Sequence, residues 1–327
     1  MGTESRKKEH IELVLKEGAQ HFKSSGLERA EFMHNALPEI SLEDVNLSMD
    51  FMGKRLAYPV LIEGMTGGYS GSESINRQLA ESAEKHGIAF AVGSQRAMIE
   101  NPELAKTYKV RDVAPTIPLL ANIGAVQLKK YSTKQIESLV SSIEADALAV
   151  HLNPLQEAVQ PEGDRDFTGV LDAIKKACEE LSVPVMVKET GAGMSQDVAI
   201  KLKQAGASYL DTAGVGGTSW SKVEYLRGEA PVPGFEEWGI STLESIIQCR
   251  KVLPFVASGG IRTGIDGAKC IALGAEMCGA AYPFLDALNR NVLDGFVDIF
   301  LEQMRLCAYL TGSKTHEELK NAKLLFL

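Results

Sequence analysis

Asp146-Ala147-Leu148-Ala149-Val150-His151-Leu152-Asn153-Pro154-Leu155-Gln156-Glu157 joins two kinds of sequence without a break. Residues 147–150 are continuously apolar, with no polar alternation. That is the pattern of a strand covered on both faces, as in a parallel sheet flanked by helices. The run then ends in His151, Asn153, Gln156 and Glu157. Burying a polar group without a partner is costly, so polar residues gathered at one buried strand end point to a ligand.

The same pattern recurs along the chain. Short apolar runs at 59–62, 88–92, 118–122, 147–151, 184–188, 208–211, 254–257 and 277–280 alternate with helical spacing at 72–86, 102–113, 133–144, 168–181, 195–204, 242–251 and 264–273, with a further helical set after Phe284. Pro102 suits a first helical turn, and Gly87, Gly206 and Gly274 stand where left-handed helix caps belong. Eight strand–helix units predict an α/β fold, a closed (β/α)8 TIM barrel, with a doubly wound open sheet as the rival. We expect one domain over 1–327. It comprises an N-terminal arm (1–55), the barrel (58–285) and C-terminal helices (286–327). The arm shows helical spacing over 9–16, through Ile11, Leu13, Val14 and Leu15, and an extended stretch with a short strand over 32–51. A long loop after strand six, 213–239, carries Trp220 and Trp238 and has the length of a functional loop.

The net charge of −9 argues against general nucleic-acid binding, which needs a basic face. Five dispersed cysteines without a CxxC pair give neither a disulfide framework nor a zinc site and suit a reducing cytoplasm. No signal pattern opens the chain, and no apolar run approaches the ~20 residues that span a bilayer.

In a barrel the site is built where strands end in loops. Ser258-Gly259-Gly260-Ile261-Arg262 and Gly279-Ala280-Ala281 follow strands seven and eight, where glycine turns and a helix N-terminus commonly hold a phosphate. Lys188 ends the apolar run 184–188; it reads as a Schiff-base nucleophile or as the charge partner of an anionic cofactor. Glu157 is a candidate Mg2+ ligand or a solvated helix-start residue. His151 is either a functional or a structural histidine. Arg6-Lys7-Lys8 with His10 reads first as a charged tail; the other reading folds it over the barrel mouth against a phosphate.

These residues resemble the type 2, flavin-dependent isopentenyl-diphosphate isomerases. The likeness runs from Arg6 to about Leu285. It rests on Arg6-Lys7 with His10-Ile11, Met65-Thr66-Gly67-Gly68, Ser94-Gln95-Arg96, Asn122-Ile123-Gly124, the 151–157 segment, Val187-Lys188-Glu189, Gly214-Val215-Gly216-Gly217-Thr218-Ser219-Trp220, the 258–262 turn and Gly279-Ala280-Ala281-Tyr282-Pro283-Phe284-Leu285. The resemblance implies interconversion of isopentenyl and dimethylallyl diphosphate. It implies reduced FMN as acid and base, NADPH as its reductant, Mg2+, no net redox change, and a homo-oligomer (tetramer or octamer) acting on a small diphosphate substrate, with no nucleic acid and no membrane insertion. Carried over by motif, Gly64, Met65, Thr66, Ser94, Asn122, Lys188 and Thr218 would line the flavin, and Gly260, Ile261, Arg262, Ala280 and Ala281 would hold its phosphate. Arg6, Lys7, Ser94, Gln95, Arg96 and Gln156 would contact substrate, Gln156 and His151 would stand at the catalytic position, and Glu157 would hold the metal. Glu63 departs from the small or apolar residue expected before Gly64; it lies either beside the flavin or outside the barrel. The alternative is an FMN-dependent oxidoreductase of the α-hydroxy-acid oxidase or IMP dehydrogenase type. The former would want a histidine after a late strand, and the latter a nucleophilic cysteine in a loop; neither is placed so here.

Overall fold

A computed structural model describes residues 3–15, 18–228 and 232–327. Lys16, the last residue of the helical spacing over 9–16, and Pro231 of the long connection lie outside the described residues.

The apolar runs become eight parallel strands: Val60–Ile62, Ala89–Ala91, Leu119–Gly124, Ala147–His151, Val185–Lys188, Tyr209–Asp211, Phe255–Ser258 and Met277–Ala280. They close into a barrel in chain order. The eighth strand pairs with the first, Cys278 opposite Val60 and Ala280 opposite Ile62. Closure, rather than an open sheet, leaves no edge strand unpaired.

Strand side chains alternate with a period of two, so every second residue points into the barrel. Leu61, Leu120, Ala149, Met186, Val256 and Met277 share one interior apolar cluster. Two residues further along the same strands stand Glu63, Asn122, His151, Lys188, Ser258 and Gly279, all on the cavity at the mouth. The interior is thus apolar below and polar at the C-terminal end of the strands. That is the transition visible in 147–157. Outward-facing Val60, Ile62, Val150 and Val187 join the larger core beneath the helices.

The arm serves both ends of the barrel. A hairpin, Met49–Phe51 with Lys54–Leu56, places Met49, Phe51 and Leu56 in the interior apolar cluster. Phe51 meets Tyr209 edge-on with ring centroids 5.1 Å apart. Each large apolar side chain so buried contributes roughly 1.5–3 kcal/mol. The first helix, Thr3–Leu15, lies at the opposite end, where Ile11 and Val14 pack with Tyr69, Val223 and Leu285. The basic start is therefore helical and docked, and the charged-tail reading is corrected by an apolar stripe that has a surface to cover.

Helices fall where the spacing placed them, at Ser72–His86, Thr133–Ser142, Val170–Glu180, Gln196–Gln204, Thr242–Cys249 and Gly264–Ala272. Gly87, Gly206 and Gly274 have φ of 64°, 92° and 111°. Residues 102–113 differ. They hold only a 3-10 turn, Pro102–Thr107, capped by the Asn101 side chain, after a short helix Arg96–Glu100. The chain turns there to bury Tyr108, whose ring fills the space beside Gly67: a Cβ on Gly67 would lie 2.0 Å from it. The barrel also runs past residue 285. An extra helix, Tyr282–Asn289, stands at the mouth, and the closing helix is Leu293–Thr311, packed between Gly264–Ala272 and Ser72–His86. The C-terminal segment ends not in helix but in a strand, Leu324–Phe326, antiparallel to Ala30–Phe32.

Candidate active site

A cavity of about 270 Å³ opens at the C-terminal mouth of the barrel. It brings together every site residue expected from the sequence, Gly64, Met65, Thr66, Ser94, Asn122, Thr218, Gly260, Ile261, Ala280 and Ala281 among them, with one exception. The exception is Gln95. Its side chain is fully buried in the barrel wall, accepting from the Asn122 backbone N–H (2.9 Å) and donating to Leu139 O (3.2 Å). It ties the ends of strands two and three together, while its neighbours Ser94 and Arg96 line the cavity.

One wall is the glycine turn after strand seven. Gly259 has φ of 101°, and a Cβ there would lie 2.1 Å from Gly214 O, so only glycine permits this approach. Next to it, Arg262 is half-buried. Its Nη2 donates to Gln20 Oε1 at 2.5 Å, and its guanidinium lies 5.0 Å from the Tyr282 ring centroid. Burial lowers its pKa, and no carboxylate lies within 4.0 Å of its guanidinium among the described residues, although Asp266 accepts from its backbone N–H at 3.1 Å. An unneutralised cation on the loops after strands seven and eight fits a phosphate. Thr66 Oγ1, on the cavity wall, is buried without a hydrogen-bond partner, a group that a polar cofactor edge would satisfy.

The floor is ionic. Lys188 Nζ lies 3.0 Å from Asp211 Oδ2 and 3.6 Å from Glu63 Oε2, and it donates to Glu189 O at 2.9 Å. Burial alone would lower its pKa; Asp211 and Glu63 outweigh burial and raise it. Lys188 is therefore a fixed cation, not a neutral amine ready for Schiff-base attack. Glu63 lies inside the barrel, settling the two orientations open in the sequence. Beside the floor, His151 Nδ1 is 2.8 Å from Asn122 Oδ1. Burial, then Lys188 and Lys7, push its pKa down to about 3. Its neutral form is favoured, because burial and the neighbouring ammonium groups both disfavour its charge.

The opposite wall combines the first helix with the loops after strands two, four and six. Lys7 Nζ donates to Gly67 O (2.9 Å), Ser94 O (2.6 Å) and the Tyr108 hydroxyl (2.9 Å). Burial, with Arg6 adding to it, pushes its pKa down to about 7. Arg6 pairs with Glu162 at 3.2 Å and Arg96 with Glu100 at 2.7 Å. Pro154 starts the helix Pro154–Val159, which puts Gln156 and Glu157 on its first turn at the mouth. Glu157 Oε1 accepts from Asn153 Nδ2 (3.0 Å) and Oε2 from the Asp164 backbone N–H (2.6 Å).

Glu224 was not foreseen from the sequence. It is fully buried on the helix Trp220–Leu226, where it accepts from Gln156 Nε2 at 3.0 Å and pairs with His10 Nε2 at 3.1 Å and Arg227 Nη1 at 2.5 Å. Burial alone would raise its pKa; His10, Gln156 and Arg227 hold it below the ordinary range. The available signal was spacing: Trp220 and Glu224 lie one helical turn apart, and Trp220 meets His10 edge-on at 5.3 Å.

The FMN-dependent dehydrogenase family model matches residues 15–325. Solved structures share the fold. A Pediococcus acidilactici protein described as a putative lactate oxidase superposes with a TM-score of 0.69 at 15% identity, covering 99% of this chain and 94% of its own. A mandelate oxidase variant with a monooxide FMN adduct gives 0.65 at 17%, covering 100% and 93%. Much nearer in sequence are proteins named isopentenyl-diphosphate delta-isomerase. That of Synechococcus sp. is 48% identical over 94% of this chain and 92% of its own length. Those of Rickettsia felis and Pyrococcus furiosus are 45% and 44% identical over 98% of this chain, covering 96% and 86% of theirs. The histidines on the cavity are His10 of the first helix and His151 at the end of strand four, and none stands after a late strand among the described residues. With the FMN-type barrel, its glycine turn and these relatives in hand, the chain belongs to the isopentenyl-diphosphate delta-isomerase family.

Proposed function

We propose that this chain interconverts isopentenyl and dimethylallyl diphosphate, with FMN in the barrel mouth and the substrate between the flavin and the first helix. One observation carries the reading: basic side chains line the cavity at two separate places, Arg262 at the glycine turn and Arg6, Lys7 and Arg96 at the other wall. Two anionic groups, a cofactor phosphate and a substrate diphosphate, need two such places. Reduced FMN, when bound, supplies the proton exchange that shifts the double bond.

The residues do the rest. Gly259 and Gly260 admit the phosphate to Arg262, while Gly64, Met65, Thr66, Ser94, Asn122, Lys188 and Thr218 surround the ring. Lys188, held charged by its carboxylates, is the cation that favours the anionic reduced state. Gln156 is oriented by Glu224 and, through a 3.4 Å contact, by Asn153, so its amide is a fixed polar group for the substrate. His151, neutral, accepts at Nε2 when Nδ1 donates to Asn122. The helix Thr3–Leu15 excludes water over the reacting carbons with Ile11 and Val14. Glu157 keeps free lone pairs on both oxygens, and one carboxylate plus substrate phosphate oxygens suits Mg2+. The same reading carries NADPH as reductant, a homo-oligomer and a cytoplasmic site. No helix among the described residues is long and apolar enough to cross a membrane.

The purified protein should be yellow and release FMN, not FAD, on denaturation. It should isomerise isopentenyl diphosphate only with reduced flavin and Mg2+. Oxidation of an α-hydroxy acid without isomerisation would overturn the proposal. Glu157→Gln should lower Mg2+-dependent turnover roughly 100-fold, about 2.7 kcal/mol of barrier, and leave FMN affinity within a factor of two or so, measured by fluorescence titration. Loss of FMN binding would place Glu157 with the cofactor instead.

A further inference from the structure

Glu63 is a buried acid without an assigned task. It is 5% exposed, and neither carboxylate oxygen has a hydrogen-bond partner. Space is built for it on the neighbouring strand: a Cβ on Gly279 would lie 2.2 Å from Glu63 Oε1. Strand eight has no side chain at that point because strand one sends a carboxylate there. The result is two carboxylates around a single ammonium, with Lys188 Nζ 3.0 Å from Asp211 and 3.6 Å from Glu63.

The two acids are not equivalent. Asp211 Oδ1 accepts from Ser258 Oγ at 2.5 Å and from the Ala213 backbone N–H at 3.3 Å. Glu63 has neither support and the longer ion pair. Burial and then Asp211 push the Glu63 carboxyl up to about 8, against the pull of Lys188. Among Glu63, Lys188 and Asp211 it is the group free to change charge, while Lys7, on the opposite wall, is pushed down to about 7. Lys188 on strand five stays charged, His151 on strand four stays neutral, and burial pushes Cys278 on strand eight up to about 12. Glu189, raised to about 7 by burial, turns away from the floor and accepts four backbone N–H groups of residues 190–193.

We propose that Glu63 is a positioning residue that, where it is ionised, takes up one solvent proton when the bound flavin is reduced to its anion, and returns that proton when the flavin is reoxidised. The proposal rests on the reading that this cavity seats FMN. Adding negative charge to a poorly solvated cavity makes a second negative charge nearby more costly, so the flavin electrons and the Glu63 proton arrive together. Two electrons and one proton go to the flavin, one further proton goes to the Glu63 carboxylate, and the floor and flavin together keep a constant charge while Lys188 remains on Asp211.

The test is the reduction potential of the FMN-loaded protein, measured spectroelectrochemically with dithionite as reductant from about pH 6 to about pH 10. Below about pH 8 the slope should be that of one proton per two electrons, since Glu63 already holds its proton. Above it the slope should double, to two protons per two electrons. Glu63→Gln should keep FMN and hold the one-proton slope throughout; Glu63→Ala serves if the glutamine variant does not fold. A one-proton slope over the whole range in the unsubstituted protein overturns the proposal, as does a steepening that survives in the variant. Both failures leave the cavity's flavin reading standing. A protein that binds no FMN overturns that reading and this one with it.

Discussion

Lys188→Met is expected to lower the free energy of unfolding by about 3–5 kcal/mol, because removing one partner of a buried ionic group strands the others. Asp211 and Glu63 would then face each other without a cation, Asp211 fully buried and Glu63 nearly so. The deficit should grow with pH. The folded protein holds Glu63 above its ordinary carboxyl value of 4.5, so its contribution to stability is complete below that pH and is lost as pH rises through about 8. Without Lys188 the loss is steeper. Urea unfolding of the flavin-free protein near pH 5 and near pH 9 measures both effects, and adding Asp211→Asn should return part of the stability at the higher pH. Equal stability of Lys188→Met and the unsubstituted chain at the higher pH would mean that the floor is not held by charge.

Arg262→Ala should weaken FMN binding by about 2–4 kcal/mol, roughly 30- to 1000-fold. It should leave the flavin-free protein's stability within ~1 kcal/mol. The two halves go together. The Arg262 guanidinium has no carboxylate within 4.0 Å among the described residues, Asp266 accepting only from its backbone N–H at 3.1 Å, and burial disfavours its charge. Its removal therefore relieves the empty site and penalises the loaded one. Fluorescence titration with FMN and thermal melts without it check the pair. A loss of affinity below about fivefold would put the phosphate elsewhere, while a large drop in flavin-free stability would make Arg262 a structural cation.

The strands were legible because each is buried on both faces, so its residues carry the signal without help from partners. Gly87, Gly206 and Gly274 were legible because a left-handed helix cap is a local demand. Residues 102–113 were misread because the decisive event is not local: Tyr108 is pinned by Lys7 and by Ser94 O, both from distant parts of the chain. The strand Leu324–Phe326 was invisible for the same reason, since it exists only by pairing with Ala30–Phe32. In the site, the motif resemblance supplied the residues on the cavity, but that the Gln95 side chain turns into the wall was not legible, because its direction depends on Asn122 and Leu139 behind it.

What the sequence determined by itself is the closed barrel and the end of it that carries chemistry. Both are written in short-range patterns, apolar runs that stop in glycine and polar residues. What only the tertiary structure decided is which charges meet. Glu63 lies inside the barrel with Lys188 and Asp211, His10 and Gln156 converge on Glu224, and the Arg262 guanidinium pairs with Gln20 and not with a carboxylate among the described residues. Protonation and charge balance follow from burial and from distances of a few ångströms across the barrel, and those distances join residues that the chain itself keeps far apart.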